Sequence, residues 1–322
     1  MAMSIDVSFI VAAFDAEGTI RHAVESALAQ EGVSVEVVVV DDCSGDRTAE
    51  AALGLASDRV RVIRLDRNRG PGGARNVGLA AARGRFIAVL DADDAVYPGR
   101  MSRLLERMRE SGAQIGVDNL DVVDDRAGPP RPMFEPERLA AMSGMTLDRF
   151  IEGNLLFAAP FSFGYMKPVL ERRFIERHAL RYDETLRIGE DYVFLASALA
   201  EGGRCAVEPR PGYAYRVRAG SISRVLESRH VDAIIEADRA FLHGRELDAS
   251  ARLAQAKRSR NLRRAASYLA LVEHLKNRRP IRAAAAAIGN PAAVGLLRMP
   301  ISVRLRRLAR PFGVAGALSN EH

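Results

Sequence analysis

Gly84-Arg85-Phe86-Ile87-Ala88-Val89-Leu90-Asp91-Ala92-Asp93-Asp94-Ala95-Val96-Tyr97-Pro98 is the stretch on which the reading of this chain turns. Phe86 to Leu90 is a short unbroken apolar run, the pattern of a strand buried on both faces of a parallel sheet. It runs straight into three acids, Asp91, Asp93 and Asp94. Open α/β sheets bind ligands at the carboxyl ends of their strands, so these acids are predicted to stand at such an end. Three carboxylates there repel one another unless a cation neutralises them. Oxygen-only ligands suit Mg²⁺ or Mn²⁺, which takes one or two carboxylates together with substrate phosphates. Two readings of the triplet stand: a metal–phosphate site, or carboxylates that cap a helix opened by Pro98.

The preceding residues supply the rest of a sheet. Val7 to Ala13 reads as a first buried strand, and Ile20, Val24, Ala27 and Leu28 form the stripe of an amphipathic helix. Val35 to Val40 is a β-branched strand that runs into Asp41-Asp42-Cys43-Ser44-Gly45-Asp46. A helix over Thr48–Leu55 and a strand over Val60–Leu65 follow. Strands and helices alternating at this spacing imply an α/β fold with a mainly parallel sheet and right-handed crossovers. Asn68 to Gly78 is glycine-rich and leads into a short helix over Ala74–Ala82. It lacks the Gly-Lys-Ser/Thr ending of a Walker loop, and Arg75 occupies the third small position of a dinucleotide fingerprint, so both motifs are rejected. Backbone N–H groups at this helix start, assisted by Arg75, would face a phosphate; a tight loop closing on the sheet is the other reading.

Beyond the triplet, Met101, Leu104, Leu105 and Met108 mark a helix, and two strands are expected on either side of Asp118-Asn119. The proline-rich stretch 126–136 reads as a mobile loop, either a lid or a plain linker. Phe157, Phe161, Phe163 and Tyr165 line an acceptor pocket or fill core. Glu190 and Asp191 open a helix, where acids either answer the helix dipole or supply a general base. Arg216, Arg218 and Arg224 sit near a diphosphate or in solvent.

The 322 residues are 48% hydrophobic and 27% charged, a globular composition for one large domain or two smaller ones. No apolar run approaches a membrane span of about 18 residues, and the N-terminus lacks the pattern of a signal peptide. Two cysteines, Cys43 and Cys205, make neither a disulfide framework nor a zinc site, so a reduced, cytoplasmic setting is expected. The net charge of +6 is uneven: residues 251–322 hold 15 Lys and Arg against two Glu, or +13, which leaves −7 on residues 1–250. Such a tail favours anionic surfaces. In Pro300–Arg310, Ile301, Leu305 and Leu308 share one face between arginines. This basic helix either lies on an anionic leaflet, making the protein peripheral on the inner membrane, or packs on the catalytic domain. No nucleic-acid module accompanies the tail, so nucleic acid is not an expected partner.

Taken in order, Val7–Phe14, Val38–Ser44, Gly70–Gly78, Asp91-Ala92-Asp93-Asp94 and Gly189-Glu190-Asp191 resemble the family 2 glycosyltransferases of GT-A fold. Asn119–Val123, Phe163–Pro168 and Gly220–Arg224 are similar to the bacterial exopolysaccharide enzymes of succinoglycan type. The resemblance covers roughly residues 5–225, and implies a GT-A nucleotide-sugar domain over 1–225 followed by a helical, basic region over 226–322. It implies that Asp42, with Asp41 beside it, accepts a hydrogen bond from a uracil ring. Asp91 and Asp93 would hold ribose and a Mn²⁺ or Mg²⁺ ion. Asp191 would be the catalytic base, with Glu190 its substitute. Arg75, from its place at the helix start, and Arg218 and Arg224, from their charge more than from the match, are expected to meet the diphosphate of a UDP-sugar.

The chemistry expected from that resemblance is inverting transfer of a hexosyl group, with UDP-glucose as donor and a lipid-linked saccharide as acceptor. Asp191 takes the acceptor hydroxyl's proton while the metal neutralises the departing diphosphate. One base and no covalent intermediate turn an α-linked donor into a β-linked product. Sugar transfer to a polyprenyl phosphate, which the same fold supports, and a non-enzymatic sugar-nucleotide-binding assembly protein are the alternatives.

Overall fold

The protein is described here by a computed structural model covering residues 5–55, 57–124, 128–217 and 226–298. The first half alternates strand and helix as the apolar pattern predicts: β1 (Val7–Ala13), α1 (Ile20–Leu28), β2 (Val35–Asp41), α2 (Thr48–Leu53), β3 (Val60–Arg64), α3 (Gly70–Ala81), β4 (Phe86–Asp91), β5 (Ala95–Val96) and α4 (Arg100–Ser111). β6 (Ile115–Val123), β7 (Arg131–Pro132), α5 (Pro136–Ala140), α6 (Leu147–Glu152), β8 (Val169–Glu171), α7 (Arg172–Arg177), α8 (Glu190–Ala200) and β9 (Cys205–Arg216) follow. The chain then turns helical: α9 (Ser228–Leu242), α10 (Ala249–Lys276), α11 (Pro280–Gly289) and α12 (Pro291–Val294).

The sheet order is β3-β2-β1-β4-β8-β6-β9-β5, with β7 paired to β6. β1 to β4 are mutually parallel, β8 runs antiparallel between β4 and β6, and β6 and β9 are again parallel. The parallel block is closed by helices on its faces, which is why β1 and β2 are almost wholly buried and read as continuous apolar runs. α3 lies so close on β1 that a Cβ at Gly78 would overlap the Ile10 side chain.

Three expectations change. The glycines after Arg69 are helical, since α3 starts at Gly70 and Pro71 stands in its first turn. Residues on either side of Asp118-Asn119 form one continuous strand, and the irregularity falls on its partner β9, which skips residues opposite them. Within the proline-rich stretch, Arg131–Pro132 pairs with β6 and Met133 N–H bonds Leu120 O at 2.7 Å, so that part is held on the sheet edge. By internal contacts the chain divides into two compact units, 1–262 and 263–322. α9 and the first half of α10 belong to the first. Among the described residues, no helix is long and apolar enough to cross a membrane.

Candidate active site

β1, β2 and β4 all end at the same edge, and each delivers site residues there. The β4 end carries the acid triplet. Its members take three different positions, and none caps α4, because β5 separates them from that helix. Asp94 is turned inward. It accepts hydrogen bonds from Tyr213 Oη and Arg216 N–H, each at 2.8 Å. Burial and the neighbouring charges of Asp91 and Asp93 push its carboxyl well above the ordinary range. Asp93 is half-buried at the strand mouth.

Asp91 meets two cations. Arg75 Nη2 reaches its Oδ1 at 2.8 Å and Lys167 Nζ its Oδ2 at 2.7 Å. Burial would raise its carboxyl, but those two charges outweigh it and hold Asp91 well below the usual carboxylate range. The same cations reach the start of α8. Arg75 Nη1 contacts Glu190 at 2.7 Å and Asp191 at 2.9 Å, and Lys167 Nζ contacts Asp191 Oδ2 at 2.8 Å. Arg75 and Lys167 are themselves buried. Burial works against their charge, and the facing carboxylates restore it and raise both groups above their normal values. Glu190 is pushed up, by burial first and by Asp191 second. Of the triplet, Asp91 is thus neutralised by protein side chains.

Arg75 therefore sits beneath the cleft, bracing carboxylates. Its neighbour Asn76 also braces: its amide donates to Tyr182 O at 3.0 Å and accepts from Tyr182 N–H at 2.8 Å. This pairs α3 with the loop that leads into α8, and the Tyr182 ring lies under the Arg75 guanidinium. Lys167 is held from behind by Arg100, whose Nη2 donates to the Lys167 carbonyl at 2.8 Å. Arg100 in turn makes a buried two-pronged pair with Asp118, both bonds 2.8 Å.

The β2 end separates the two neighbouring acids. Asp41 closes the strand, buried, accepting from Ser44 N–H at 3.0 Å and facing Arg64 at 3.4 Å. Asp42 instead accepts from the N–H groups of Arg69 and Gly70, at 2.7 and 2.8 Å, and so caps α3. Burial raises its carboxyl, and these two bonds oppose the rise. Asp42 also lines a cavity of about 650 Å³ with Ala12, Phe14, Gly70, Arg187 and, from α9, His230. Asp41 does not line it. Arg218 and Arg224 lie outside the described residues.

Residues 8–174 match the model of glycosyl transferase family 2. The chain is also 57% identical to the succinoglycan biosynthesis protein ExoO of Rhizobium meliloti over 307 residues, which is 95% of this chain and 88% of that one. This chain belongs to glycosyltransferase family 2. The glycosyltransferase is 31% identical to the Escherichia coli UDP-Glc:alpha-D-GlcNAc-diphosphoundecaprenol beta-1,3-glucosyltransferase WfgD, over 38% of its own length and 48% of that relative's. Among solved structures it resembles S. aureus TarS in complex with UDP-GlcNAc, with a TM-score of 0.60 at 21% identity over 84% of this chain and 73% of that one. It also resembles the mannosyltransferase PcManGT of Pyrobaculum calidifontis with GDP-Man and Mn²⁺, with a TM-score of 0.60 at 17% identity over 94% and 81%. The fold of the glycosyltransferase is GT-A.

Lys167 is the residue of this charge cluster that sequence reasoning passed over. It lies in the stretch Phe163–Pro168, quoted above only for its likeness to the succinoglycan-type enzymes. A lone lysine between aromatic and proline residues carries no signal of a charge network. The sequence sign was local: a charged residue followed by the buried run Val169-Leu170.

The donor set can be tested against a divalent cation. Among the described residues no three His, Cys, Asp or Glu side chains converge. Asp93, half-buried at the mouth of β4, fits an ion held by one carboxylate and completed by phosphate oxygens and water, the habit of Mg²⁺ and of Mn²⁺ at such sites.

Proposed function

We propose that this enzyme transfers glucose from UDP-glucose, with inversion, onto a lipid-linked saccharide in exopolysaccharide biosynthesis. The observation that carries the reading is the shared bracing of Asp91 and Asp191 by Arg75 and Lys167. It ties the donor-binding end of β4 to the base at the start of α8. The donor and acceptor classes follow from the likeness to ExoO and WfgD.

In this reading the uridine occupies the cavity beside Asp42, with the ribose toward the end of β4, where Asp91 pairs with the cavity-lining Ala12. Asp93 would hold Mn²⁺ or Mg²⁺, which when bound would supply positive charge against the departing diphosphate. The proton of the acceptor hydroxyl passes to a carboxylate oxygen of Asp191, and the oxygen attacks the anomeric carbon from the face opposite the diphosphate. Glu190, deeper and paired to Arg75, is the less accessible carboxylate and holds Arg75 in place. Phe161, Tyr165 and Tyr215 meet edge to face, with centroids 5.5 and 5.4 Å apart, and stay half-buried. They form an apolar ledge for an acceptor sugar. Asp41 and Arg75 act behind the pocket wall. The family-derived division at residue 225 is best moved toward residue 262, since α9 lines the donor cavity.

Asp191→Asn tests the assignment. UDP-glucose affinity should stay within a few-fold while turnover falls by ~10² or more. Near wild-type turnover removes Asp191 as base and moves the test to Glu190. Excess chelator should abolish transfer and Mn²⁺ should restore it; transfer undiminished by chelator would leave arginines as the neutralising groups.

A further inference from the structure

α11 presents its larger apolar residues to water. Ile281 is 85% and Ile288 79% exposed, and Ala284 and Ala285 on the same side are exposed as well. These four recur at i, i+3, i+4 and i+7, one face of a helix. The opposite side holds only alanines: Ala283 is buried, and Ala286 and Ala287 are half-buried. A soluble helix normally turns its bulky apolar residues inward and leaves small or polar ones outside. Here the order is reversed, so the stripe is built for something other than the core of its own unit.

The charge around the stripe says what that is. Arg278, Arg279 and Arg282 flank it, all exposed, and no ion pair among the described residues involves them. Residues 263–298 carry seven Lys and Arg against Glu273 alone, a net +6. A second copy of this face would bring two such surfaces together and repel. The segment 299–322 is itself net +3 and repels in the same way. An anionic lipid surface complements both features, taking isoleucines among its acyl chains and arginines among its phosphates.

We propose that α11 is a docking element for anionic phospholipid, with Ile281 and Ile288 entering the headgroup layer. The biological purpose rests on the lipid-linked acceptor proposed above. The assay contains neither donor nor acceptor, so it fails or succeeds separately from that reading.

The test is co-sedimentation of the full chain with vesicles of phosphatidylglycerol and phosphatidylcholine, at low and high salt. Wild type should bind phosphatidylglycerol vesicles, release in high salt, and ignore pure phosphatidylcholine. Ile281→Glu/Ile288→Glu should weaken binding tenfold or more with an unchanged melting temperature. Arg278→Gln/Arg279→Gln/Arg282→Gln should weaken it and reduce its salt dependence. Wild-type binding by the glutamate variant overturns the proposal. So does a wild type that ignores anionic vesicles. A lower melting temperature in the glutamate variant would show the stripe covered by the protein itself, and concentration-dependent dimers lost in that variant would show a second copy; either result also overturns it.

Discussion

Asp191 and Asp91 are held in one frame by two cations, and the frame sets what each residue does. Arg75 alone would leave Asp191 able to swing on one contact; Lys167 adds the second and ties it to β4. Lys167 is thus a positioning residue. Lys167→Ala should lower turnover at least about tenfold and leave UDP affinity within a few-fold, because the cavity beside Asp42 is built from other residues. Added propylamine should restore part of the turnover to Lys167→Ala, a response that lost packing would not give. Equal losses in turnover and UDP affinity, without amine rescue, would reduce Lys167 to a structural role. The metal belongs to this scale too. Asp93→Ala should abolish the Mn²⁺ response together with transfer, whereas activity still stimulated by Mn²⁺ would move the ion elsewhere.

Among the elements, α4, β6 and β9 form the support behind the site. Arg100 on α4 is 1% exposed and reaches Asp118 on β6, the Lys167 carbonyl and the ring of Tyr213 on β9. The irregularity of β9 lies opposite Asp118-Asn119-Leu120, and Gly212 faces this pair, where a Cβ would overlap the Asp118 carboxylate. Removing one partner strands a buried charge. Arg100→Met should cost about 3–5 kcal/mol in urea unfolding and depress turnover further through Lys167. Arg100→Met/Asp118→Leu should cost less than the sum of the single changes, a coupling of at least ~1 kcal/mol. Strict additivity would show the two groups to be independent.

At the scale of the whole molecule, residues 226–262 pack into the same compact unit as the residues before them. Arg258 of α10 pairs with Asp238 of α9 at 2.9 Å, donates to Asn154 O at 2.8 Å, and lies 3.6 Å over the ring of Tyr192, next to Asp191 on α8. All these partners are buried. A chain ending at residue 225 would expose the Tyr192 face and lose the cavity wall supplied by His230 and Ala233. We expect such a chain to be poorly soluble or to bind UDP at least tenfold more weakly than the full chain in calorimetric titration. Wild-type affinity in the shortened chain would show that α9 does no more than cover the surface.

In the parallel block β1, β2 and β4 were legible because each is buried on both faces, which leaves a continuous apolar run in the chain itself, whereas the half-buried edge strand β3 was legible from its β-branched residues. The acids at the ends of β2 and β4 were legible for the same reason, since an apolar strand that stops at a carboxylate marks its own ligand edge. Resemblance, and not spacing, distinguished Asp191 from a helix-dipole acid. The partners of those acids were decided in three dimensions. Asp41 and Asp42 are adjacent, yet strand alternation sends one to Arg64 and the other to the start of α3. Arg75 is 16 residues from Asp91 and 115 from Glu190, and Lys167 is 24 from Asp191, and no local pattern connects them. Buried charges must be paired or they cannot stay buried, and only the packing of α3, β4, β8 and α8 determines which charges meet.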